Sequence, residues 1–78
     1  MGYVPAYRRI FTDIRTRIDS GGLAVGDRLP SARQLREQYG VSAQPVKMAL
    51  IILEAVGYTE GQQGRGVYVR RTTADGAL

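Results

Sequence analysis

Two short segments with helical patterning lie on either side of Gly40, and their closeness constrains the fold more than any other feature of the sequence. The first segment begins at Ser31, which forms a capping box with Gln34 three residues later. Gly40 ends this segment, because glycine adopts the left-handed conformation of a helix C-terminus without strain. Ser42 is suited to begin the next helix as its N-cap. Two helices joined by about three residues that include a glycine are typical of a helix-turn-helix.

The apolar pattern of the segment after Ser42 predicts which side of its helix faces the core. Apolar side chains recur there at helical spacing, and Gly57 ends the helix. Pro45 falls in the first turn, where a missing N–H is tolerated. The predicted core residues are Val46, Ala49, Leu50, Leu53 and Val56, and the predicted outward residues are Gln44, Lys47, Met48 and Ile51.

A third helix is predicted ahead of this pair, over residues 5–20. Its apolar residues follow one another at spacings of three, one, three and four, which places them on one helical face. Pro5 suits the first helical position, and Gly21 and Gly22 end the segment. This inward face consists of Tyr7, Ile10, Phe11, Ile14 and Ile18.

Two β-favouring runs after Gly57 predict a hairpin. Residues 58–60 and 67–70 are the strands, and residues 61–66 are the glycine-rich turn. Leu29 precedes a proline and is therefore extended, so we expect it to point inward and to add a third strand. The predicted fold is mainly α with a small β-hairpin (α+β), a winged helix-turn-helix with three helices and a small antiparallel sheet.

The length of the chain predicts one domain. Seventy-eight residues support a single small core. We expect residues 1–70 to form the winged helix-turn-helix, and residues 71–78 to be a linker or a disordered tail.

Composition argues against an enzyme. Cysteine and histidine are absent, which removes thiolate nucleophiles, most zinc sites and an imidazole base. The seven carboxylates are scattered along the sequence and form no acid/base pair. We therefore expect no catalytic residues, no metal and no cofactor.

The charge of the chain favours a polyanionic partner. The formal net charge is +4 and the pI is near 10.0, which suits nucleic acid or an anionic membrane surface. No apolar run approaches the roughly 20 residues of a membrane span. A cytoplasmic protein without a membrane partner is the expectation.

Several short motifs resemble the N-terminal domain of the GntR family of bacterial regulators, over roughly residues 6–70. They occur in the family's order and at its spacings. The matching strings are Leu29-Pro30-Ser31-Ala32-Arg33, Val41-Ser42, Pro45-Val46-Lys47, Ala49-Leu50, Leu53-Glu54 and Gly64-Arg65-Gly66. The resemblance implies sequence-specific binding to a near-palindromic double-stranded operator, with repression as the commoner outcome. It also implies a larger C-terminal domain, absent from these residues, that binds a small-molecule effector and forms a homodimer.

The resemblance also implies residue roles, and this sequence departs from the family pattern at two of them. The arginine that follows Leu-Pro-Ser-x contacts DNA in the family, and Arg33 occupies that position. Ala43 stands where the family has arginine, so it cannot form a bidentate contact to guanine or phosphate. Lys47 replaces a second arginine and keeps the charge without the planar fork, which suits a phosphate anchor.

The DNA-binding face is expected to combine the start of the helix that follows Ser42 with the hairpin turn. Gln44 can read adenine, or it can be a solvated surface amide. Ser42 can cap its helix, touch the DNA backbone, or do both. Arg65 can reach phosphate or the minor groove, or belong to a plain turn. The expected DNA-binding residues are Ser31, Arg33, Ser42, Ala43, Gln44, Pro45, Lys47, Arg65 and Gly66.

A second interpretation remains open at this point. Winged helices also bind RNA or serve as protein-interaction modules. Met48 and Ile51 are apolar on the outward face, which fits either contact with thymine methyl groups or the edge of a protein interface.

Overall fold

Three helices and a two-stranded antiparallel sheet make up the fold in a computed structural model, which describes residues 3–62 and 64–70. The predicted linker, residues 71–78, lies outside the described residues. The architecture confirms the predicted fold class. The elements are α1 (Ala6–Asp19), α2 (Ala32–Tyr39), α3 (Ala43–Ala55), β1 (Thr59–Gln62) and β2 (Gly66–Val69). No helix in the described ranges is long and apolar enough to cross a membrane.

The core lies where α1 packs across α3, with contributions from α2, the segment before α2 and β2. Its members have at most 2% of their surface exposed: Ile10, Ile14, Ile18, Leu29, Leu35, Val46, Ala49, Leu53 and Val69. The prediction that Val56 belongs to this core is wrong, because it is half exposed (50%). The helix ends at Ala55 and Val56 is its C-cap, so Val56 lies beyond the last helical residue, at the end of the apolar face of α3.

The ends of α2 follow the sequence signals closely. The Gln34 N–H donates to Ser31 Oγ (3.1 Å), and the Ser31 N–H donates to Gln34 Oε1 (2.8 Å). This reciprocal pair confirms the capping box. Gly40 ends the helix with a φ of 65°, as a left-handed C-cap should.

One side-chain hydrogen bond ties the end of α2 to α1. The Tyr39 hydroxyl donates to Asp13 Oδ2 at 3.0 Å. Burial raises the pKa of Tyr39 above its ordinary value of 10.0, and the hydrogen bond to the Asp13 carboxylate raises it further.

The hairpin is longer than the sequence pattern indicates. Its register runs from Thr59 opposite Val69 to Gln62 opposite Gly66, so only residues 63–65 connect the strands. The predicted turn of residues 61–66 is therefore wrong at both ends. Glycine and glutamine have weak strand preference, and it is the backbone pairing with β2 that places Gly61 and Gln62 in the sheet.

The segment before α2 joins the sheet without becoming a strand. Its one bridge pairs Arg28 with Tyr68. The Leu29 N–H donates to the Val67 carbonyl at 2.8 Å, and Leu29 is buried as predicted. The third strand of the prediction is thus a single bridge. The next N–H on the same side of the segment belongs to Ser31 and donates to Gln34 Oε1 in the capping box, so the ladder does not continue.

Candidate nucleic-acid interface

Three shallow grooves adjoin one another between the start of α3 and the hairpin. The grooves near α3 and near the start of α2 share Arg33 and Glu37, and the groove near α2 shares Arg28 with the groove beside the hairpin. Four arginines lie along this continuous surface, with one carboxylate among them. We call the four arginines the cationic edge: Arg36, Arg33, Arg28 and Arg65.

Arg33 lies in the middle of the cationic edge in a loose ion pair. Its Nε is 3.6 Å from Glu37 Oε2, one helical turn further on. Both side chains are strongly exposed, at 86% and 69%. Because such surface pairs are weak and easily screened, the Arg33 guanidinium can leave Glu37 for a phosphate at little cost.

The first turn of α3 has an N-cap residue whose side chain forms no capping hydrogen bond. Ser42 occupies the N-cap position as predicted, but its side chain accepts no capping hydrogen bond. Pro45 is the third residue of the helix and has no N–H, so one of the two usual donors to such a cap is missing. The backbone N–H groups of Ala43 and Gln44 have no acceptor within the helix, and the Ser42 hydroxyl forms no cap bond with this turn. These are the groups of a helix N-terminus that favour an anion.

The outward face of α3 matches its prediction. Gln44 and Lys47 are exposed, and so are Met48 (37%) and Ile51 (57%). Pro45 is half-buried, so it shapes the first turn more than it offers a contact.

The hairpin turn presents Arg65 to solvent while fixing its backbone. The Arg65 N–H donates to the Gln62 carbonyl at 2.9 Å, and the Tyr68 hydroxyl donates to the Arg65 carbonyl at 3.4 Å. Gly64 and Gly66 have φ values of 77° and 121°, which side-chain-bearing residues rarely adopt. The two glycines therefore allow the backbone conformation of the turn, and the Arg65 side chain between them is exposed to solvent.

The structure brings together some of the predicted site residues and leaves others apart. Ser31 and Arg33 share the groove at the start of α2, Arg65 and Gly66 share the groove at the hairpin, and Arg28 joins the two. The remaining predicted residues lie on the convex start of α3, outside these three grooves: Ser42, Ala43, Gln44, Pro45 and Lys47.

Sequence reasoning missed Arg28 and Arg36. Arg28 precedes the inward Leu29 in an extended segment, so alternation alone could have placed it outward. Arg36 follows Arg33 by three residues on the same helix, which places the two side chains on one face. The two residues add positive charge on either side of Arg33.

A convex helix face beside a row of cations is suited to a nucleic-acid duplex. An α-helix fits the major groove of B-DNA, where base edges can be read. Arginine side chains at the flanks suit the phosphates, with bidentate geometry where both oxygens can be reached.

Comparison with known proteins also points to bacterial regulators. The family model for bacterial regulatory proteins of the gntR family matches residues 6–69. The Exu regulon transcriptional regulator of Escherichia coli K12 is 38% identical over 63 residues, which cover 81% of this chain and 24% of that protein. The mannosyl-D-glycerate transport/metabolism system repressor MngR of the same strain is 41% identical over 70 residues, covering 90% and 29%.

A solved structure of AraR(DBD) in complex with operator ORR3 has the same fold. Its TM-score is 0.84 at 26% identity, and the match covers 87% of this chain and 82% of that one. The chain spans about a quarter of the length of the curated relatives it matches. Because the family match extends from the start of α1 to the end of β2, this chain belongs to the gntR family of bacterial regulatory proteins.

Proposed function

We propose that residues 1–70 are the DNA-binding domain of a bacterial transcriptional regulator, which recognises double-stranded operator DNA by sequence. The observation that carries the proposal is the exposed first turn of α3 next to the cationic edge. The regulators matched by sequence and the operator complex of AraR(DBD) support it.

In the proposed complex, α3 enters the major groove with its N-terminal turn foremost. Gln44 donates to and accepts from an adenine edge, since an amide can do both. Lys47 and Arg33 hold phosphates on either side, and the Ser42 hydroxyl with the free N–H groups of its turn binds another. Arg65 follows the hairpin into the adjacent minor groove or onto its phosphates.

We propose repression as the direction of regulation, because the names of MngR and of NagR from Bacillus subtilis are those of repressors. A single module of this size buries only about 600–1,000 Å² on DNA, so one copy binds weakly. Two copies on a near-palindrome would gain affinity by effective concentration. The proposal places their homodimerisation, and the binding of a small-molecule effector, in a domain outside these residues and joined through residues 71–78.

The role proposed for this chain is binding and not catalysis, in keeping with relatives that are named as regulators. Contact with the bacterial chromosome requires that the protein reside in the cytoplasm, so that location is part of the proposal.

Selection from a random pool of DNA duplexes, followed by binding measurements at rising salt, tests the proposed function. About four phosphate contacts would give a slope of about −3.6 in the logarithm of the binding constant against the logarithm of salt concentration. A recovered consensus together with such a slope is the expected result. The absence of enriched sequences, or equal binding to an RNA duplex, would contradict sequence-specific DNA recognition.

A protein-interaction role is the second candidate, and Met48 and Ile51 favour it. Their exposed apolar side chains lie on the same face of α3 as Gln44 and Lys47. Binding of a protein through this face would depend only weakly on salt, in contrast to neutralisation of phosphates. The same salt series therefore separates the two functions.

A further inference from the structure

The backbone on either side of Arg28 is hydrogen-bonded to β2. The Leu29 N–H donates to the Val67 carbonyl and the Val69 N–H donates to the Asp27 carbonyl, both at 2.8 Å. Successive side chains of an extended segment point to opposite faces. Since Leu29 is buried in the core, Arg28 points outward, and it is exposed.

The Arg28 side chain lies over Gly66, the first residue of β2, next to the hairpin turn. A Cβ atom added to Gly66 would be 2.8 Å from Arg28 Nε, 3.3 Å from Nη2 and 3.4 Å from Cζ. Any side chain at this position would therefore displace the guanidinium. The absence of a side chain at Gly66 leaves room for the Arg28 guanidinium in the groove between the hairpin and α2.

Within residues 3–62 and 64–70 no carboxylate forms an ion pair with Arg28, in contrast to Arg33, which lies beside Glu37. Arg28 also lines both the groove at the start of α2 and the groove beside the hairpin. It is thus an unpaired, positioned cation at the junction of the two.

We propose that Arg28 binds a backbone phosphate of DNA and links the helix-turn-helix half of the interface to the hairpin half. This inference rests on the proposed function and names a contact within it. When α3 occupies a major groove and the hairpin faces the adjacent minor groove, one sugar-phosphate strand passes between them. Arg28 lies at that junction, and Gly66 leaves room for its side chain.

Replacement of Arg28 tests this contact, with Arg8→Ala as the matched control. Arg8 is an exposed arginine in the first turn of α1 and lines none of the three grooves, so its loss changes the net charge equally. Binding to a selected duplex is followed by fluorescence anisotropy at several salt concentrations. Arg28→Ala should weaken binding on the order of tenfold and make the salt slope shallower by about 0.9.

Two further variants decide how Arg28 acts. Arg28→Lys keeps the charge and should retain the slope. Gly66→Ala should weaken binding strongly in the otherwise wild-type chain and much less in the Arg28→Ala background. The backbone strain caused by the substitution is the same in both backgrounds. The difference between the two effects therefore reports only the displacement of Arg28. Circular dichroism of each variant checks that the fold is retained. If Gly66→Ala unfolds, the comparison of Arg28→Ala with Arg28→Lys alone tests whether Arg28 binds a phosphate.

The outcomes separate this inference from the function on which it rests. If the wild-type chain binds with a steep slope while Arg28→Ala behaves like Arg8→Ala, the Arg28 contact is wrong and DNA binding stands. Strictly additive effects of Gly66→Ala and Arg28→Ala would refute the role given to Gly66. If the wild-type chain itself binds no duplex, both proposals fall.

Discussion

Gln44 is the residue on which base reading depends most directly. It is exposed in the first turn of α3, where the helix would meet base edges. Gln44→Ala should cost about 1–3 kcal/mol at one base position and leave non-specific binding nearly unchanged. Binding to a library with each operator position varied in turn measures this. A uniform loss across the library would instead assign Gln44 to the DNA backbone.

Substitutions at Arg33 and at Glu37 should change DNA affinity in opposite directions, because the two side chains share one loose ion pair. Arg33→Ala should weaken binding to all duplexes alike and reduce the salt slope by about one unit. Glu37→Gln removes the competing carboxylate and should tighten non-specific binding at low salt. Anisotropy with a random-sequence duplex tests both. An unchanged slope in Arg33→Ala would argue against a phosphate contact.

At the scale of elements, the two serine caps look alike in sequence and differ in the structure. Ser31 forms a complete capping box, whereas the Ser42 side chain makes no cap bond. Ser31→Ala should therefore lower the free energy of unfolding by about 1 kcal/mol, and Ser42→Ala by less than about 0.5 kcal/mol. Ser42→Ala should weaken DNA binding instead. Urea unfolding of both variants measures the difference, and equal stability losses would contradict the cap assignment.

The hydrogen bond between Tyr39 of α2 and Asp13 of α1 should make the stability of the fold depend on pH. Tyr39→Phe removes the hydrogen bond to Asp13 and should cost about 1 kcal/mol at pH 7. The folded-state pKa of Tyr39 is raised, so its contribution is complete below the unfolded value near 10 and is lost as pH rises through the folded value. The stability gap between wild type and variant should therefore narrow above about pH 10. Thermal unfolding across this range is the measurement, and a constant gap would contradict the account.

Helix ends were more predictable from sequence than sheet boundaries. The signals at Ser31, Gln34 and Gly40 act locally, through hydrogen bonds between near neighbours and the backbone freedom of glycine. The extension of β1 through Gly61 and Gln62 depends on pairing with β2, which no local pattern of these residues encodes. The segment at Leu29 was predicted as a strand because the residue before a proline is extended, but it forms only one bridge, since the capping box engages the next possible donor, the Ser31 N–H.

At the scale of the whole molecule, the proposed interface is assembled from residues far apart in the sequence. Arg33 and Lys47 could be named from helical spacing and family resemblance, since each lies in a recognisable motif. Alternation could have placed Arg28 outward, but its proposed contact could not be named from sequence, because it depends on the tertiary approach of Gly66. The cationic edge exists only once the hairpin folds back against the segment before α2.

A titration of the isotopically labelled protein with a selected duplex, followed by amide NMR signals, tests the central claim most directly. The account predicts large shifts at Arg33, Gln44, Lys47 and Gly66, and small shifts along the solvent-facing side of α1, for example at Thr12. If the four signals stay unmoved while the duplex binds, or if no signal moves at all, the surface proposed here is not where DNA binds.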